Sequence, residues 1–214
     1  MSSVVSTSTS NASDELPPFP VRRFTVEEYF ELGRMDFFGD DDKVELLQGY
    51  IVPKMVKYPP HERVLYRLVQ FLQTIVPPGW FIRLQGVLQT ADSAPEPDIS
   101  LTRGTADDYP ESHPRGKDVA LVIEVADSSI KRDRRKIEVY GNEGVPVYWI
   151  VNIREQCFEI YEQPRAGIDG KLAYTSRRVV AGNEAIALLV DGRVIANVQP
   201  SQFLLADFSP TEPT

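Results

Sequence analysis

The chain contains a single cysteine, Cys157, and only two histidines, His61 and His113. One thiol excludes a disulfide framework and a cysteine-based zinc site. Two imidazoles exclude a histidine-rich metal site. Any metal must then be held mainly by oxygen, which favours Mg²⁺ or Mn²⁺ over zinc. The sequence also lacks an apolar run that reads as a membrane span. Met1 to Glu15 has neither the basic start nor the apolar stretch of a signal peptide. No membrane partner is expected, and a cytoplasmic location is. Positive charge is scarce too. A net charge of −8 excludes a non-specific nucleic-acid coat protein, which would be basic overall. It leaves room for a nuclease with one local basic patch, and carboxylates are the raw material of metal sites.

What is present is the composition of an ordinary globular chain. In 214 residues, 42% are hydrophobic and 25% charged, enough for one domain with a full core. Residues 1–20, rich in Ser, Thr and Pro, read as a disordered N-terminal tail, and 209–214 as a C-terminal tail. The domain is expected over 21–208, without internal repeats.

Thr25 and Glu28 form a capping box that starts a short helix to about Leu32. Lys43 to Leu47 and Tyr50 to Lys54 read as a hairpin turning at Gln48-Gly49. After Pro59-Pro60, Val64, Leu65, Leu68, Leu72 and Ile75 recur at helical spacing, and Pro77-Pro78-Gly79 ends that helix. Trp80 to Leu84, Gly86 to Thr90 and Pro95 to Leu101 read as strands. A polar loop follows over Thr102 to Asp118. Val119 to Ala126 is the near-continuous apolar run of a central strand covered on both faces. Ser128 or Ser129 is expected to cap the next helix, which runs to about Asn142 and is closed by Gly144. Pro146 to Asn152 is a further apolar strand, so a parallel pair with a helical crossover is expected. Gln156 to Glu162 and Lys171 to Val180 read as antiparallel strands, and Ser201 to Ala206 as a short helical turn. The fold class is α/β with a mixed sheet.

Glu124 is the anomaly in this pattern. It sits inside Leu121-Val122-Ile123-Glu124-Val125-Ala126, where an ionised carboxylate is costly unless paired. Alternation puts Ala120, Val122, Glu124 and Ala126 on one face and Leu121, Ile123 and Val125 on the other. Glu124 is either half of a structural ion pair or a metal ligand or general base, and the second reading is preferred. Asp98, entering a strand after Pro97, is by itself a common turn residue. A neighbouring Glu124 changes that, because two converging carboxylates repel unless a cation sits between them. The helix after Glu124 carries Lys131, Arg132, Arg134, Arg135 and Lys136 around Asp133. This is either a solvated charged face or a receiver of phosphate. Ile130, Ile137 and Tyr140 form its apolar stripe, with Asp133 inside the arc and Lys136 at its border, so Lys136 can reach back towards Glu124. Glu45, an acid in an apolar strand, is an exposed position or a site residue. His61 is a capping or core-edge histidine, or lies near a phosphate. Tyr148 and Trp149 read as core or dimer-interface residues, and Cys157 as a buried small hydrophobe.

Taken in order, these pieces resemble the Uma2 family, restriction endonucleases of the PD-(D/E)XK nuclease superfamily. The similar stretches are Thr25 to Tyr29, Val44 to Gly49, His61, Pro97-Asp98, Leu121 to Val125, Asp133 with Lys136, and Gly144 to Val151. The resemblance implies a restriction-endonuclease-like central mixed sheet flanked by helices, with the site at its edge. It implies Mg²⁺ (or Mn²⁺) bound by Asp98 and Glu124 and supported by Glu45. The superfamily's lysine lies two residues after the glutamate. That position is Ala126, and the resemblance hands the role to Lys136.

The expected function is a Mg²⁺-dependent endonuclease hydrolysing phosphodiesters of DNA, with RNA as the alternative substrate. Catalytic roles fall to Asp98, Glu124, Lys136 and Glu45, and phosphate binding to Arg132, Arg134, Arg135 and His61. A homodimer suits the cutting of two strands. The alternative is a non-catalytic nucleic-acid-binding or scaffold protein that keeps the nuclease fold.

Overall fold

The structure, a computed structural model, describes residues 20–39 and 41–204. The expected tails and the domain limit at 208 lie outside the described residues, apart from Pro20. The first helix, α1 (Val26–Arg34), starts at the Thr25 box: the Glu28 amide donates to Thr25 Oγ1 at 3.2 Å and the Thr25 amide to Glu28 Oε2 at 3.0 Å. Next comes the hairpin β1 (Val44–Leu47) and β2 (Tyr50–Pro53). Gln48 and Gly49 have φ of 49° and 79°, the left-handed pair a two-residue turn requires. A Cβ on Gly49 would lie 2.6 Å from Arg23 Cβ, so space as well as φ demands glycine. Helix α2 (Pro59–Ile75) includes both prolines in its first turn, where a missing N–H costs nothing.

The remaining elements are β3 (Trp80–Leu84), β4 (Ile99–Arg103), β5 (Val119–Ala126), α3 (Ile130–Asn142), β6 (Val147–Asn152), β7 (Cys157–Ala166), β8 (Leu172–Ala181), β9 (Ile186–Val190) and β10 (Arg193–Val198). Strands β3 to β8 form one six-stranded sheet in chain order. Only β5 and β6 run parallel, and α3 is their crossover. The mixed α/β architecture expected from the pattern is the one found. Helix α2 packs Val64, Leu68 and Leu72 against Leu121, Ile123 and Val125 on one face of β5. Helix α3 covers the other face, with Tyr140 beside Val122, Tyr148 and Ile150. All eight residues of β5 are buried. Each buried aliphatic side chain contributes about 1.5–3 kcal/mol, which offsets the cost of holding charged groups in the same strand.

Several expectations are corrected. Gly86 to Thr90 is not a strand. Its amides bond outside any ladder: Leu88 to the Pro95 carbonyl at 2.9 Å, Gln89 to Pro114 at 2.9 Å and Thr90 to Ser93 at 2.9 Å. Ala120 packs with Leu121 and Ile123, not with Val122. The register shifts from Leu101↔Leu121 to Thr102↔Val119, so Ala120 is an extra residue in a bulge that breaks the alternation. Neither serine caps α3 with its side chain, because the Ser129 hydroxyl donates to Asp133 Oδ2 at 2.5 Å. The terminal turn is a 3-10 turn, Pro200–Gln202, and Ala206 lies outside the described residues. Strands β9 and β10 were not among the expectations. Their hairpin supplies Ile186, Leu188, Val190 and Val198 to the α2 side of the core.

Tyr148, Trp149 and Cys157 are buried core residues. Burial pushes the Cys157 thiol up to about 11, which keeps it protonated and inert.

Candidate active site

The carboxyl end of β5 and the entry of β4 lie side by side, because Ile99 pairs with Ile123. Asp98 is therefore delivered next to Glu124 by register. The Asp98 amide points at Glu124 Oε2 at 3.4 Å, and the Val125 amide donates to Asp98 Oδ2 at 2.9 Å. That same Oδ2 lies 3.0 Å from His61 Nε2, from the first turn of α2. With a carboxylate opposite, Nε2 acts as a hydrogen-bond donor. The other Asp98 oxygen, Oδ1, receives the Lys57 ammonium at 2.8 Å, from the connection between β2 and α2.

Glu124 is held from the helix side. Asp133, Lys136 and Tyr140 lie at i, i+3 and i+7 on α3, so they share the face that meets the sheet. Lys136 Nζ lies 3.0 Å from Glu124 Oε1, and the Tyr140 hydroxyl donates to the same oxygen at 2.8 Å. Lys136 Nζ also lies 3.1 Å from Glu45 Oε2, so this ammonium bridges β1 and β5. Arg132 approaches Glu45 Oε1 at 3.9 Å and donates to the Pro53 carbonyl. Glu45, His61, Asp98, Glu124, Asp133 and Lys136 are all buried.

The ionisation of these groups follows from their surroundings. Burial pushes Asp98 upward, but the hydrogen bond and charge of His61, and then Lys57, outweigh it and hold the carboxyl below its usual value. Burial pushes Glu124 up to about 8, only partly opposed by Lys136, with Asp98, Asp133 and Glu45 adding to the rise. Burial takes Asp133 to about 6 against the pull of Lys136 and Ser129. For Lys136, burial disfavours the charge, and Glu124, Glu45 and Asp133 more than restore it, so the ammonium stays charged. Burial and then Glu124 lift the Tyr140 phenol well above its usual value, so it remains a donor.

These side chains, apart from Tyr140 behind Glu124, border one cleft of about 860 Å³. Of the residues expected at a site, Asp98, Glu124, Lys136, Glu45, His61 and Arg132 line it together. Arg134 and Arg135 do not. Arg134 turns to β7, where its Nη2 meets the buried Glu159 Oε1 at 2.5 Å and its Nε lies 3.1 Å from the same oxygen. Arg135 is exposed. Lys57 and Tyr140 are the contributors that sequence reasoning passed over as site residues. Lys57 lies in a connection with no periodicity to mark it. Tyr140 sits on the apolar stripe, and its spacing from Lys136 was the available signal.

A divalent ion fits the donor set. Nine Asp and Glu line the cleft against five Lys and Arg, an excess of negative charge that a bound cation would offset. Each central carboxylate also has one oxygen fixed by buried donors: Oδ2 of Asp98 and Oε1 of Glu124. Its other oxygen is less committed among the described residues: Oδ1 meets the part-exposed Lys57, and Oε2 a long amide contact. Among the described residues no three His, Cys, Asp or Glu form a ready cage. Two carboxylates completed by water suit Mg²⁺, which keeps several of its waters.

The sequence profile of the family described as "Uma2: Putative restriction endonuclease" matches residues 26–197. Among solved structures, the chain is similar to a "putative nuclease belonging to DUF820" from Anabaena variabilis ATCC 29413. The TM-score is 0.64 at 16% identity, over 84% of this chain and 97% of that one, which is a likeness of fold. No curated protein matches the chain.

Proposed function

The chain belongs to the Uma2 family, and from that premise we propose that its cleft is the reaction centre of a Mg²⁺-dependent endonuclease acting on DNA. One observation carries the reading. Two buried carboxylates on adjacent strands border an acid-rich cleft, each with one oxygen held by buried donors and the other less committed. Asp98 and Glu124 would hold the ion, which supplies Lewis-acid polarisation of a phosphate and a more acidic water. Tyr140 and Lys136 fix the rotation of Glu124. Lys136 ties Glu45 to the same point and balances both carboxylates. His61 orients Asp98 through Oδ2. Arg132, at the cleft wall, is the arginine assigned to a flanking phosphate. A two-fold pair would bring two clefts to two strands, a doubled mass in light scattering.

The test is cleavage of supercoiled and linear DNA, with an RNA oligonucleotide in parallel, in Mg²⁺ or Mn²⁺ and in chelator. Cleavage is expected with either ion, absent in chelator, and about 10²-fold lower in Glu124→Ala, the scale for losing one stabilising group. Cleavage untouched by that substitution refutes the site. A second reading, a nuclease fold that binds without cutting, is favoured by Ala126, fully buried where the superfamily's lysine is expected. Mn²⁺ uptake with no cleavage of DNA or RNA would select it.

A further inference from the structure

The site contains two lysines in very different situations. Lys136 is enclosed, its side chain 6% exposed, with carboxylates at 3.0 and 3.1 Å. Lys57 is 35% exposed and has Asp98 as its ion-pair partner, at 2.8 Å. It stands in a connecting segment on a long flexible stem, whereas Lys136 is locked onto a helix. Leaving its place would strip Lys136 from two buried carboxylates and leave their burial uncompensated. Lys57 can leave towards water at little cost.

The oxygen that Lys57 covers is the one a cation from the cleft would meet. Asp98 Oδ2 is already taken by His61 and the Val125 amide, both buried. A divalent ion and an ammonium cannot both sit against Oδ1 without strong repulsion. We propose that Lys57 is the exchangeable cation of this site: it neutralises Asp98 until a divalent ion binds, yields Oδ1 to that ion, and then faces the substrate phosphate. This inference rests on the reading of Asp98 as an ion ligand. It moves the substrate-facing lysine from the helix after Glu124 to the segment before α2, and leaves Lys136 as a positioning residue.

Calorimetry of the full chain with MnCl₂ tests it, using wild type, Lys57→Met, Lys57→Gln and Lys54→Met. Lys54 belongs to the same segment and carries the same charge, but pairs with Glu96 at 2.6 Å. Both Lys57 variants are expected to bind Mn²⁺ about tenfold more tightly, equivalent to about 1.4 kcal/mol, while Lys54→Met changes affinity by less than about twofold. DNA cleavage by the Lys57 variants is expected to fall about 10²-fold. Tighter ion binding with slower cleavage is a combination that a merely structural role would not produce. Wild-type uptake of Mn²⁺ with equal or weaker affinity in both Lys57 variants overturns the assignment of Lys57 alone. No uptake by any of the four proteins overturns it together with the ion reading of Asp98.

Discussion

Replacing Glu124 with glutamine should change how stability depends on pH. The carboxyl is pushed from 4.5 to about 8 in the folded chain. Between those values the folded protein keeps a proton that the unfolded chain has lost, so stability falls as pH rises. This contribution is fully present below pH 4.5 and lost on the way through 8. The limiting slope is about 1.4 kcal/mol per pH unit. Over pH 6 to 8, where the Glu124 carboxyl passes from protonated to half ionised, the loss integrates to about 2 kcal/mol. Asp133 acts with the same sign, but its carboxyl rises only to about 6, so most of its effect is spent below that window. The amide of the Glu124→Gln variant cannot ionise, and every other titrating group is common to both proteins. Urea unfolding in chelator, at half-unit steps from pH 5.5 to 8.5, reads the difference. The wild type should lose about 2 kcal/mol more than Glu124→Gln between pH 6 and 8. Parallel lines would mean that Glu124 is ionised throughout and that Lys136 and Tyr140 outweigh its burial. On the proposed function, saturating Mn²⁺ abolishes the extra slope, since a bound carboxylate has already released its proton.

Tyr140→Phe deletes the hydroxyl that donates to Glu124 Oε1 while keeping the ring in the core. At pH 7, where Glu124 keeps its proton, urea unfolding should show a loss of about 0.5–1.5 kcal/mol, the scale for a hydrogen bond between neutral groups. Calorimetry should show Mn²⁺ affinity about 10-fold weaker or more, as when a group that orients a ligand is lost; unchanged affinity would deny Tyr140 that role. Glu159→Ala leaves the Arg134 and Arg177 guanidiniums without their shared carboxylate. Chemical unfolding should show a loss of about 1–3 kcal/mol, with Mn²⁺ affinity unchanged. A drop in affinity would instead tie Arg134 to the site.

Much of the site could be read along the chain because its members stand out locally. Glu124 interrupts an apolar strand, and Lys136 borders an apolar stripe at helical spacing from Tyr140. Glu45 is an acid among aliphatics, and all three proved buried. Arg134 misled because a basic run looks uniform in sequence. Successive helical residues point about 100° apart, so the run splits: Arg132 turns to the cleft, Lys136 to the sheet and Arg134 to Glu159. The β9–β10 hairpin turns at Asp191-Gly192, with φ of 49° and 73°. It carried the signal of a two-residue turn, and its strands were short enough to be passed over. The bulge at Ala120 had no local mark, since it arises from how two strands distant in sequence pair.

Periodicity and composition were sufficient to give the α/β class, the parallel pair with its crossover helix and the oddity of Glu124. These are local properties, set by which residues recur every two or every 3.6 positions and by the cost of burying a charge. Which oxygen of each carboxylate is occupied was decided by tertiary structure alone. The Ile99–Ile123 register sets Asp98 beside Glu124, α2 brings His61 to Oδ2, and a segment with no pattern of its own lays Lys57 on Oδ1. Those contacts join residues 26 to 41 positions apart. Their energy depends on distance in space through a low-dielectric interior, a quantity that spacing along the chain does not encode.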